Sequence, residues 1–170
     1  MGDWSSDWNG PKSGVSPVTV LAQSAVAVPH TGDTNETILA TIAVPANAIG
    51  RNGRLAISAV WSYTNSGNNK LLKIRFGASG SGLSGTAFLQ STATTSTVMA
   101  ALTSLANRNA ASSQVGGASG STPFGQSSGT PVTMAIDTTA ATEINITGQL
   151  ALATETITLE SYQVLLYPAI

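Results

Sequence analysis

The feature that most constrains this chain is a period-two alternation in short apolar runs. In RLAISAVWSYT, residues 54–64, Leu55, Ile57, Ala59, Trp61 and Tyr63 fall on one side of an extended backbone. Ala56, Ser58, Val60 and Ser62 fall on the other. Alternation rich in β-branched and aromatic residues is the pattern of a half-buried strand. It recurs along the chain. KLLKIRFG sets Leu72, Ile74 and Phe76 against Lys73 and Arg75, and ETILATIAVP sets Ile38, Ala40 and Ile42 against Thr37, Leu39 and Thr41. PVTMAID carries Val132, Met134 and Ile136, and TEINITGQLAL carries Ile144 and Ile146. ETITLESYQVLLYP carries Ile157 and Leu159, with Leu165 and Tyr167 continuing that parity, and PVTVLAQSAVAVP reads as a further Val-rich strand.

Gly, Pro, Asn and Ser punctuate these runs, as turns require. NSGNN between Tyr63 and Lys70 predicts an antiparallel hairpin with a longer than minimal loop. TSTVMAALTSLANRN, residues 95–109, has helix-favouring Ala, Leu and Met but no polar face. Its Thr-rich flanks and strand neighbours favour a strand. Residues 108–131, RNAASSQVGGASGSTPFGQSSGTP, read as one long Gly/Ser loop, a kind usually functional or mobile. About eight strands without a convincing helix predict an all-β, antiparallel sandwich or barrel.

Charge is scarce. Charged residues are 9% of the 170, against about 25% in an ordinary soluble domain, and the net charge is −1. Nucleic-acid binding by clustered Lys and Arg is therefore not expected. Weak self-repulsion and uncharged strand edges favour an assembly that covers them. There is no cysteine, so disulfides and thiolate metal sites are excluded. No run approaches the roughly 20 apolar residues of a membrane span, and membrane insertion is not expected. The polar, acidic start predicts no secretory signal, so the Asn-x-Thr triplets at Asn35 and Asn145 read as chance.

Residues 1–14, MGDWSSDWNGPKSG, have a different character, and residues 15–170 form the expected sandwich domain. Two of the three tryptophans, Trp4 and Trp8, stand among Ser, Asp, Asn, Gly, Pro and Lys that cannot build a core. We expect an extended docking arm. Its indoles enter a neighbouring subunit or another protein, and Asp3 and Asp7 pair with basic residues there; the alternative is packing on its own sheet. Burying two indoles gains about 10 kcal/mol gross. Ordering the residues that carry them costs about 1–2 kcal/mol each, so one arm holds weakly. Several arms joined by symmetry raise avidity by roughly 10²–10⁴.

No pattern carries strong chemistry. His30 and Asp33 are separated by Thr-Gly, which reads as a turn before it reads as part of a nucleophilic triad. Asp33, Glu36, Asp137, Glu143, Glu155 and Glu160 could supply paired catalytic carboxylates. Their positions instead suggest turn solvation or pairing with Arg51, Arg54 or Arg108. GASGSGLSG lacks the lysine and helix of a phosphate loop, and nothing has metal-ligand spacing. Lys70, Lys73 and Arg75 form a small basic patch, read as a solvated strand face, with contact with an acidic partner surface as the alternative. Trp61 and Tyr63 read as core, with sugar stacking as the alternative.

Three stretches together resemble small tailed-bacteriophage virion proteins, used as head decoration, head fibres or tail-fibre tips. They are VLAQSAVAVPHTGDTNETILATIAVP, LAISAVWSYTNSGNNKLLKIRFG and AIDTTAATEINITGQLALATETITLESYQVLLYP, and the resemblance spans roughly residues 18–168. It implies a jelly-roll-like β-sandwich, often assembled as a trimer. A short arm leading straight into the domain favours a decoration or head-spike protein on the major capsid lattice, at the capsid surface of the virion. A tail or fibre module binding a host-surface glycan is the alternative. The expected protein is a homo-oligomer without enzymatic activity or cofactor.

Overall fold

The computed structural model describes residues 17–118 and 130–169. The expected arm, with Asp3, Trp4, Asp7 and Trp8, lies outside the described residues. Within them the chain is all-β, with eleven strands rather than about eight. They are β1 (Thr19–Ser24), β2 (Val28–His30), β3 (Thr37–Val44), β4 (Arg54–Tyr63), β5 (Lys70–Ala78), β6 (Thr86–Ala93), β7 (Val98–Asn107), β8 (Gln114–Ala118), β9 (Pro131–Met134), β10 (Thr142–Leu150) and β11 (Ile157–Tyr167). A single 3-10 turn, Gly82–Ser84, interrupts them.

Two antiparallel sheets form a sandwich. One has seven strands in the order β1-β11-β4-β7-β8-β9, with β2 also on β11; the other has four, in the order β3-β10-β5-β6. The alternation in β4 places Leu55, Ile57, Ala59, Trp61 and Tyr63 in the core, as its period predicts. Leu72, Ile74, Phe76, Ile144 and Ile146 face them from the smaller sheet and are fully buried. The Ala/Leu/Met segment is strand β7, because its neighbours β4 and β8 supply ladder partners that outweigh local helix propensity.

The expected hairpin between residues 54 and 77 does not form. β4 pairs with β11 and β7, whereas β5 pairs with β10 and β6 in the other sheet. The NSGNN stretch is a crossover between layers. Two bulges also reverse the expected parity. Register slips in β3 between Ala40 and Ile38, so Leu39 turns inward and Ile38 is exposed. Register slips again in β11 around Glu160, so Val164 and Leu166 are buried while Tyr167 is exposed. The 108–131 stretch is not all loop either: β8 lies inside it, and β9 begins at Pro131.

Candidate functional site

The outer face of the seven-stranded sheet follows from ladder register, because directly paired residues share a side. One row across β11, β4 and β7 holds Leu165, Ala56 and Ser104, and the next holds Gln163, Ser58 and Leu102. Then come Ser161, Val60 and Ala100, and after them Thr158, Ser62 and Val98. Val98 is 58% exposed, Leu102 54%, and Val20, opposite Leu165 on β1, 50%. Glu160, held by the Ser62 hydroxyl, is the one acidic group among these described residues. Hydroxyls, amides and aliphatic groups along a multi-stranded sheet face suit contact with another protein.

The row closing this face holds Tyr167, Arg54 and Ala106. The Arg54 guanidinium lies over the Tyr167 ring, 5.5 Å from its centroid. Asn52, Arg54, Ala106, Tyr167, Pro168 and Ala169 line a groove of about 480 Å³. Buried amides brace the loops around it. Gln114 Nε2 donates to Asn107 Oδ1 at 2.9 Å, and Asn107 Nδ2 donates to Thr138 Oγ1 at 3.0 Å. Asn107 also donates to the carbonyl of Gly50. Residues 45–53, 108–113 and 135–141 are thereby tied into one end of the sandwich.

The smaller sheet presents the opposite chemistry. β10 is buried on both sides, and Glu143, Asn145 and Thr147 lie on its outer side under the molecule's own loops. Glu36, from the loop before β3, accepts hydrogen bonds from Lys73 Nζ at 2.7 Å, Arg75 Nε at 2.7 Å and Arg75 Nη2 at 2.8 Å. Thr147 Oγ1 donates to it as well. Burial pushes the Glu36 carboxyl upward, but the Arg75, Lys73 and Thr147 donors outweigh it and lower the pKa to about 2. Glu143 accepts the backbone amides of Gly80 at 2.9 Å and Gly82 at 2.7 Å. Burial opposes its ionisation, yet Asn145 and these amides hold it below the usual range. The GASGSGLSG stretch is a wrap around a carboxylate.

The basic patch is thus not a solvated face. Lys73 and Arg75 share the Glu36 carboxylate as ion-pair partner. Lys70 is fully buried, with Nζ 3.2 Å from Glu155 Oε2 and 2.9 Å from the Asn68 carbonyl. Asn68 and other donors hold Glu155 below its ordinary range. These carboxylates do not pair with Arg51, Arg54 or Arg108: Arg51 donates to the Asn109 carbonyl and Arg54 sits on Tyr167. One signal could have revealed Lys70, since it shares the core parity of Leu72, Ile74 and Phe76.

The other sequence candidates have plain settings. His30 is buried, with Nε2 3.9 Å from Asp33 Oδ1 and no hydrogen-bond partner among the described residues. Asp137 caps its own turn through Thr139. Trp61 is buried in the core, and Tyr63 beside it meets the Ser96 hydroxyl at 2.9 Å.

No protein-family model matches the chain, and no curated protein matches it. Among solved structures it is similar to a chain from the infectious bursal disease virus Gx strain, at 9% identity and a TM-score of 0.26. That alignment covers 91% of this chain and 43% of the viral one, so the chain spans less than half of its length. A likeness at this score carries no conclusion about fold or function.

Proposed function

We propose that this protein is a non-enzymatic structural component of a tailed-bacteriophage virion. It decorates the capsid surface as a trimer fixed to the major capsid protein. The observation that carries the reading is the outer face of the seven-stranded sheet, where exposed Val20, Val98 and Leu102 stand among hydroxyls and amides with Glu160 as the one acid. Such a face gains by association where its aliphatic groups are covered and its hydroxyls and amides find hydrogen-bond partners across the contact. The resemblance of residues 18–168 to small virion proteins names the setting.

The jelly-roll reading is supported by chain order. β1-β11-β4-β7 in one sheet and β3-β10-β5-β6 in the other is an eight-strand double-sheet winding, with β8 and β9 as an addition at one edge. The carboxylates of Glu36, Glu143 and Glu155 are each taken up by the molecule's own donors, which supports a structural role for them.

The test is reconstitution. Purified protein added to undecorated heads is expected to bind at stoichiometric sites across a salt series, and to migrate as a trimer in sedimentation. Absence of binding at every salt concentration overturns the proposal.

A second reading, a tail or fibre module for host-surface glycan, has one observation in its favour. Gln23, Ser24, Ala25, Tyr162 and Gln163 line an open pocket of about 410 Å³. Its ring, hydroxyl and paired amides match the chemistry of a sugar. Cell adsorption that persists after Tyr162→Ala excludes this pocket as the cause.

A further inference from the structure

We propose that Asn52 is a site of self-modification. The backbone nitrogen of Gly53 displaces its side-chain amide, and a carboxylate is left between two arginines at the end of the outer face. The reaction takes water as its one co-reactant and is independent of what that face docks on.

The first observation is the dipeptide and the packing that requires it. Among the described residues Asn52 is the one asparagine followed by glycine. It is exposed on a bend and lines the groove with Arg54 and Tyr167. A backbone nitrogen can attack the γ-carbonyl of a preceding asparagine and close a five-membered ring. A side chain on the attacking residue obstructs that approach, and glycine has none. Glycine is obligatory at 53, because a Cβ there would collide with the Ile49 carbonyl oxygen and lie 2.9 Å from Ala169 N. Packing inside the sandwich end thus places an unshielded Asn-Gly pair at the surface.

The second observation is the nucleophile. The Gly53 carbonyl accepts the Asn107 amide at 3.0 Å, but the Gly53 N–H donates to no partner among the described residues. Gly53 is buried, so this is an unpaired polar group. No hydrogen bond has to break before its proton leaves, and ring closure removes the unpaired donor.

The third observation is charge. Arg51 and Arg54 flank the pair, both exposed and neither in an ion pair with a described residue. Arg51 donates to the Asn109 carbonyl and Arg54 lies over Tyr167, so both are held at this end. Their charge favours loss of the Gly53 proton and the oxyanion that forms at the Asn52 side-chain carbonyl.

The atoms balance without an oxidant or reductant. The bond from Gly53 N to Asn52 Cγ forms, the bond from Cγ to Nδ2 breaks, and the nitrogen's proton leaves with ammonia. Water then opens the cyclic imide. Breaking the bond from Gly53 N to Cγ gives aspartate, and breaking the original peptide bond gives isoaspartate. Either product adds one negative charge to a chain of net charge −1 and gives Arg51 and Arg54 the counter-ion they lack.

The test is ageing. Folded full-length protein is held in mildly alkaline buffer, digested at acid pH and mapped by mass spectrometry against a fresh sample. The expected result is amide-to-acid conversion in the peptide carrying residue 52, part of it accepting a methyl group from an isoaspartyl methyltransferase. The exposed Asn35, Asn65 and Asn109, which precede other residues, stay unchanged. Asn52→Gln, which would need a six-membered ring, stays unmodified. Arg51→Gln with Arg54→Gln slows the conversion about fivefold. All three changes are at exposed positions, and circular dichroism checks that the variants fold. An intact Asn52 in the aged folded protein, with conversion only in a urea-unfolded sample, overturns the proposal, because the fold then protects the pair. Conversion at the same rate in the arginine variant overturns the part assigned to the two charges.

Discussion

Glu36 carries the sharpest consequence of a single side chain. Its pKa falls from 4.5 to about 2 because the folded state surrounds the ionised form with donors. A depressed folded pKa means that this stabilisation is present in full above about pH 4.5. It is lost as pH falls from there toward 2. The shift corresponds to about 3 kcal/mol as an upper figure. Urea midpoints measured from pH 7 to pH 2 are therefore expected to fall steeply below pH 4.5. Glu36→Gln flattens part of that slope, and other carboxylates held below their ordinary range, Glu143 and Glu155 among them, maintain the rest. At pH 7 the same variant loses up to about 3 kcal/mol, because Lys73 and Arg75 remain largely buried without their counter-charge. Lys70 obeys the same logic at the other end of β5. Lys70→Met alone removes the cation beside Glu155 and is expected to lower the urea midpoint, whereas Lys70→Met with Glu155→Leu recovers most of it in the same denaturation assay.

At the scale of elements, glycines decide where the added hairpin sits. A Cβ built on Gly116 in β8 would meet Phe88 Cβ at 2.7 Å, so β8 crosses β6 with no room for a methyl group. Gly116→Ala is expected to cost about 1–3 kcal/mol. That appears as a fall of roughly 2–10 °C in Tm by calorimetry. The same glycines explain why β8 was illegible in the sequence: Gly116 and Gly117 have no side chains and therefore carry no period. What was legible was the inner face of β4, β5 and β10, where alternation runs unbroken. Parity failed at Leu39 and Glu160, because a bulge adds one residue and leaves composition unchanged. Partner choice failed for β4 and β5 because NSGNN fits a crossover as well as a hairpin. The outer network of Glu36 with Lys73 and Arg75 joins residues 37 and 39 positions apart, a separation local pattern does not encode.

For the whole molecule, the contrast between the two outer faces sets the expectation. The smaller sheet hides its charges beneath its own loops. The larger sheet keeps an aliphatic and hydroxyl surface that ends in unmatched arginines. Association through the larger face predicts a separation of folding from assembly. Leu102→Asp places a carboxylate on an exposed position, so the isolated fold should change by no more than about 0.5 kcal/mol. Covering that carboxylate at an interface without a partner is costly, and the oligomer should dissociate. Sedimentation is expected to show a smaller species with an unchanged Tm. Deleting residues 1–10 gives the complementary case: the fold persists and binding to undecorated heads is lost, with unfolding instead the mark of an arm that packs on its own sheet. The two defects differ in their response to salt. Aliphatic contacts are nearly indifferent to ionic strength, whereas the pairs proposed between Asp3 or Asp7 and basic residues of a partner would weaken as the Debye length shrinks from about 10 Å at 0.1 M to about 3 Å at 1 M. Raising salt should therefore loosen the native assembly modestly and leave the Leu102→Asp species where it is, because in that variant the face itself has already failed.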